Sequence, residues 1–177
     1  MKISMVLTFL MFAIQGLAHP ELESKYTSVK PADCFAANSS ELELEPEIDF
    51  YEGTCPAFGG YVVEISGGDI RYSLSLHYGK KKIDLPRPGA FHDMGSDVIE
   101  WRFNRHNSNG HGPFHPNALI YRLNVADDLT EGPKNIDRLI VVRLNKEKSC
   151  VIGDLSKVKD MNKKARAIAD DFSSPCL

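Results

Sequence analysis

The chain has 177 residues, 42% of them hydrophobic and 25% charged, with 21 basic and 24 acidic side chains and four cysteines. That composition describes an ordinary globular protein of one domain, long enough to bury a sizeable core, and excludes both a small disulfide knot and a multidomain assembly. The net charge of −3 argues against a nucleic-acid binder, which needs clustered Lys and Arg to neutralise phosphates.

The chain opens with Lys2, an apolar run from Met5 to Ile14 broken only by Thr8, and the small residues Gly16 and Ala18. This is the pattern of a secretory signal peptide over residues 1–18, cut after Ala18. The run is too short for a membrane anchor, which needs about 20 apolar residues in a helix, and no cysteine follows the cut to take a lipid. The mature part, 19–177, retains 20 basic and 24 acidic side chains, a balance of −4. Export to the periplasm or the medium makes four cysteines read as two disulfides. Of the three pairings that four cysteines allow, Cys34 with Cys55 and Cys150 with Cys176 are favoured, because each closes a loop within one end of the chain. A zinc site or redox pair is disfavoured because no two cysteines stand in a Cys-x-x-Cys spacing.

Residues 19–46 are acidic and poorly patterned, so the first half is expected to be mobile, with a short strand in Glu41–Glu45 stopped by Pro46. A single β-rich domain is expected over 47–177. Tyr61 to Ile65 and Ile70 to Tyr78 read as a hairpin turning at Ser66-Gly67-Gly68-Asp69. Its second strand buries Ile70, Tyr72, Leu74 and Leu76 and leaves Arg71, Ser73, Ser75 and His77 on a small, polar, water-facing side. Residues 79–96, rich in Gly, Pro and Lys, read as a long loop. Asp97 to Asn104 is a strand with Ile99, Trp101 and Phe103 on the core face and Glu100 and Arg102 on the other. Ala118 to Val125 is another, alternating Leu119, Tyr121 and Leu123 with Ile120, Arg122 and Asn124. The β-branched run Leu139 to Val142 predicts a central strand covered on both faces. After a short strand from Cys150 to Leu155, the spacing of Met161, Ala165, Ile168, Ala169 and Phe172 predicts an amphipathic helix capped by Ser156 and stopped at Ser173-Ser174-Pro175. The fold class is therefore α+β: an antiparallel sheet or partly closed barrel of six to seven strands with one C-terminal helix packed on it.

Three imidazoles, His106, His111 and His115, fall within ten residues and are candidate ligands for zinc or copper. Their spacing matches no established motif, and Gly110, Gly112, Pro113 and Pro116 forbid the helix that would align them, so a solvated loop without a cofactor is the preferred reading. No Gly-x-Ser-x-Gly or His-Glu-x-x-His is present for hydrolysis. Glu100, Arg102 and Arg122 share one sheet face and are a candidate ligand face, with cross-strand ion pairs as the plainer explanation. Nine acids and two bases lie between Glu21 and Glu52, against eight bases and three acids between Arg143 and Arg166. A basic helix suggests an anionic surface, but its apolar face is small and held by a disulfide. Asn38-Ser39-Ser40 fits an N-glycosylation acceptor, relevant only in a eukaryotic secretory pathway.

Tyr26-Thr27-Ser28, Cys55-Pro56-Ala57-Phe58-Gly59-Gly60-Tyr61, Glu100-Trp101-Arg102, Pro113-Phe114 with Tyr121-Arg122, and the stretch from Cys150 to Cys176 together resemble a family of small exported bacterial proteins of unknown function. The resemblance spans most of the mature chain. It implies an envelope or secreted location and supports the disulfide pairing, but it brings no activity. The histidine loop departs from the family pattern. The expectation is a monomeric, non-enzymatic protein that binds another envelope or secreted protein, or inhibits a cell-wall enzyme. The competing expectation is a metal-binding protein or hydrolase using the loop from His106 to His115.

Overall fold

A computed structural model of the chain describes residues 22–36, 50–68, 71–83, 85–86, 92–104, 114–126, 134–145 and 148–177. Where apolar and polar residues alternate the backbone is extended, because period two places every second side chain on one sheet face. In chain order the strands are β1 (Glu23–Ser28), β2 (Phe35–Ala36), β3 (Phe50–Cys55), β4 (Tyr61–Gly68), β5 (Arg71–Tyr78), β6 (Lys81–Ile83), β7 (His92–Met94), β8 (Val98–Phe103), β9 (Pro116–Ala126), β10 (Asn135–Arg143) and β11 (Cys150–Ser156). One helix, α1 (Met161–Asp170), follows. Seven strands curl into a half-barrel with α1 packed on it, the expected α+β architecture.

The sheet runs β1-β8-β9-β7-β5-β4-β3-β2, with β10 and β11 continuing from the far edge of β9 and β6 added to β5. Its hub is β9. One edge of this strand pairs with β8 over its first half, Trp101 opposite Leu119, and with β7 over its second, Met94 opposite Leu123. The other edge pairs with β10. β7 and β8 are thus two pieces of one broken strand. Gly95 makes the break: its N–H donates to the Arg122 carbonyl at 3.0 Å, and a Cβ there would meet the Leu123 carbonyl carbon at 3.0 Å and the Asn124 nitrogen at 3.1 Å. Only glycine allows so close a backbone approach. At the β3–β4 turn, Gly59 and Gly60 have φ of 66° and 82°, left-handed values that favour glycine.

Two cores lie on opposite faces of β9–β11. Leu119, Tyr121, Leu123, Ile140 and Val142 join Val63, Ile65, Leu74, Leu76, Ile99 and Trp101 inside the curl. Ala118, Ile120, Leu139, Val141 and Ile152 pack against Ala165 and Ala169 of α1. The run Leu139–Val142 is therefore covered on both sides, as its composition predicts. Trp101 is fully buried, its indole N–H donating to Thr27 Oγ1 at 2.8 Å and its ring packed by Phe58 and Tyr61.

Several local expectations are revised. Glu23–Ser28, in the stretch expected to be mobile, pairs with β8 from Glu23 opposite Phe103 to Ser28 opposite Val98. An edge strand is specified by backbone pairing as much as by a buried stripe, so its weak apolar pattern concealed it. The long loop contains β6 and β7. Ser66 to Gly68 still belong to β4, with Gly68 opposite Arg71, so these three are strand and not turn. Ser156 ends β11, and the residue before α1 is Asp160, in a left-handed conformation. The helix stops one residue before Asp171, whose carboxylate accepts hydrogen bonds from the Ser173 amide, the Ser173 hydroxyl and the Ser174 hydroxyl. Phe172 thus lies beyond the helix and is exposed. Both disulfides form as expected, Cys34–Cys55 and Cys150–Cys176; the second ties the chain after α1 to β11, where the Leu177 amide donates to the Val151 carbonyl. The signal segment, residues 41–46, Asn38 and Ile70 lie outside the described residues.

Candidate functional site at the helix seam

Strand parity puts Glu100 and Arg102 of β8 on the face opposite Trp101, and the register of β8 with β9 puts Ile120 and Arg122 on that same face. This is the face on which α1 lies. The three residues expected to form a ligand face are therefore brought together, but by a helix that supplies counter-charges.

Arg102 is enclosed, its side chain 9% exposed. Its Nε and one terminal nitrogen donate to the two carboxylate oxygens of Asp170, the other terminal nitrogen donates to the Ser24 hydroxyl, and the Leu22 carbonyl accepts a further bond. A planar guanidinium held bidentately by a carboxylate and capped on its remaining donors has little left for a ligand. Arg102 fastens the C-terminal turn of α1 to β8 and β1, and it leaves the candidate set.

Glu100, also nearly buried, accepts from Arg166 through both carboxylate oxygens, at 2.8 and 3.1 Å, and from the Ser24 hydroxyl. Burial alone would raise its pKa; the hydrogen bonds from Arg166 and Ser24 and the charges of Arg166 and Arg102 overcome it and hold the carboxyl below its ordinary value. The same hydrogen bond to Glu100 raises the Arg166 pKa. Arg166 donates also to the Tyr26 hydroxyl at 3.0 Å. Arg122 lies further along the seam, donating to Asp137 at 2.9 Å and to the Asn162 side-chain carbonyl at 2.8 Å.

Between these groups the seam stays open. A cleft of about 160 Å³ has Val98, Ile120 and Leu139 as its apolar lining and Tyr26, Glu100, Arg122, Asn162 and Arg166 as its polar lining. A guanidinium has five N–H donors. Arg122 uses one on Asp137 and one on Asn162, and the bonds of Arg166 run from Nε and a single terminal nitrogen. Counting partners among the described residues, the cleft offers spare, charged donors above an apolar floor, an arrangement suited to an anion carrying an aliphatic group.

Tyr26, Asn162 and Arg166 are not among the site residues that the sequence singles out. Tyr26 sits in the unpatterned front segment, Asn162 has no motif, and Arg166 counts only as one of the eight bases between Arg143 and Arg166. Its step of four from Asn162 was the available signal, since positions four apart share a helix face. Of the histidine loop, His115 is exposed, while His106 and His111 lie outside the described residues. Among the described residues no three His, Cys, Asp or Glu side chains are placed to hold a metal ion.

Comparison with protein-family models, with curated proteins and with solved structures finds no match for this chain.

Proposed function

We propose that this chain is an exported, non-enzymatic binding protein, of the inhibitor or partner-recognition type, that uses the seam cleft to take an anionic group of another envelope or secreted protein. The observation that carries the reading is the pair of guanidinium groups, Arg122 and Arg166, with spare donors over an apolar floor. The cleft holds about 160 Å³, below the roughly 300 Å³ at which sites for whole small molecules begin, and so suits one side chain or chain terminus of a partner. Two disulfides, and the lack among the described residues of any helix long and apolar enough to cross a membrane, are compatible with export. The resemblance to small exported bacterial proteins belongs to the same proposal.

The test is affinity capture from an envelope extract and the culture medium, with the disulfide-bonded mature chain and its Arg122→Leu variant as paired baits. The Arg122–Asp137 pair lies near the surface, where such pairs contribute about 1 kcal/mol or less, so the variant should fold. We expect one partner held by the parent chain and at least tenfold less recovered by the variant. Recovery of no partner, with a tightly bound metal in the same sample, would overturn the proposal in favour of a metal site built from His106, His111 and His115.

A further inference from the structure

The outward face of β3–β4–β5, turned away from the seam, has its own cleft. Its volume is about 290 Å³, and Glu52, Thr54, Glu64, Ser66, Ser75 and Lys82 supply the side chains around it. Parity explains its chemistry: Tyr51, Val63, Ile65, Leu74 and Leu76 pack in the core, which turns the intervening residues outward. Exposed sheet faces ordinarily carry β-branched or long side chains. Here the middle strands carry serine, with Ser66 opposite Ser73 and Glu64 opposite Ser75, so the sheet is hollowed where its neighbours would be filled.

The charges are arranged across the hollow. Glu52 is opposite Ser66 and Thr54 opposite Glu64, so the two carboxylates occupy diagonal positions about 7–8 Å apart, near enough to converge on one cation. Lys82 stands on β6, opposite His77 of β5, two strand spacings from Glu64, or about 10 Å. His77 Nε2 lies 3.0 Å from Glu64 Oε2, a contact off the line of a hydrogen bond, and it braces the carboxylate from the side away from β3. The result is a carboxylate end, a floor of three hydroxyls and an ammonium end.

We propose that this cleft binds a hydroxyl-rich primary amine of monosaccharide size, an amino sugar. Its ammonium sits between Glu52 and Glu64 in charge-assisted hydrogen bonds. Its ring hydroxyls exchange bonds with Thr54, Ser66 and Ser75 and accept from Lys82. Such a site discriminates by charge and by hydroxyl count: a ligand without the amine forfeits the charge-assisted bonds to Glu52 and Glu64, and one without the hydroxyls forfeits those to Thr54, Ser66 and Ser75.

Titration of the disulfide-bonded chain with glucosamine, followed by heteronuclear NMR, tests the assignment, with glucose and 1,4-diaminobutane as parallel probes. Saturable shifts confined to β3–β6 are expected with glucosamine, with glucose and the diamine each at least tenfold weaker. Glu64→Gln removes one charged partner from an outward position and should weaken glucosamine about tenfold; Ser75→Val fills the hollow with a good strand former and should abolish binding while the spectrum stays folded. Equal binding of glucose, equal binding of the diamine, no saturable shift, or unchanged affinity in folded Glu64→Gln would each overturn it. These outcomes are independent of the seam cleft, because none of the probed residues touches it.

Discussion

Tyr121 places a hydroxyl in the core, near the Arg138–Asp154 ion pair. The residue is 2% exposed, its oxygen has no hydrogen-bond partner, and desolvation raises its pKa well above the ordinary phenol value. An unmet buried hydroxyl costs about 1–3 kcal/mol, so Tyr121→Phe, which keeps the ring in the core, should be neutral or stabilising by about 1 kcal/mol in urea unfolding. A loss of more than 1 kcal/mol would reveal a partner for the hydroxyl. Tyr121 was legible as a core residue from its alternation with Ile120 and Arg122. That its oxygen finds no mate was not, because partners for a buried polar atom come from strands distant in sequence. The same limit divides the candidate ligand face. Glu100, Arg102 and Arg122 could be put on one face from parity alone, whereas the burial of Arg102 by Asp170, Ser24 and Leu22 depends on how α1 and β1 dock.

At the scale of elements, α1 is joined to the sheet by a small apolar patch, Ala165 and Ala169 on Ala118, Ile120, Leu139 and Val141, and by charges on either side of it. Met161 and Ile168 pack, partly buried, beside the two alanines, and the ion pairs and the Cys150–Cys176 bridge add to this docking. Glu100 gives this a pH dependence. Because the folded carboxyl titrates below the unfolded one, its contribution is fully present above about pH 4.5 and is lost as pH falls through the lower folded value. Glu100→Gln should therefore destabilise by about 1–3 kcal/mol at pH 7, and the difference from the parent should shrink as pH falls through the lowered folded value. Thermal melts of the two proteins across that range check it; a constant difference would show that Glu100 acts by packing alone. The helix itself was readable from its period. Its first residue was not, since Asp160 enters through a left-handed conformation with no Ser or Thr capping box to mark it. The edge strand β1 was hidden for the complementary reason: Glu23 to Ser28 have no apolar stripe, and their order comes from pairing with β8.

For the molecule as a whole, the even composition conceals a division of labour. The chain brings its front segment, β1, and its basic C-terminal helix to the same sheet face, joined through Ser24, Tyr26, Glu100 and Arg166. The disulfide pairing, the two-sided coverage of β10 and the α+β class were all accessible from cysteine positions and periodicity, because these are local signals. The two clefts were not, because each is made where three or more elements meet and no motif spans them. The central claim is that the seam between α1 and the sheet receives an anionic group through Arg122 and Arg166 above Ile120 and Leu139. The most direct measurement is a heteronuclear NMR titration of the disulfide-bonded chain with isovalerate, a small carboxylate with an aliphatic tail, repeated on Arg122→Leu. Saturable shifts centred on Tyr26, Asn162 and the Arg166 side chain, lost or weakened at least tenfold in the variant, are predicted. An absence of saturable shifts at the seam, or the same affinity in both proteins, would contradict the account.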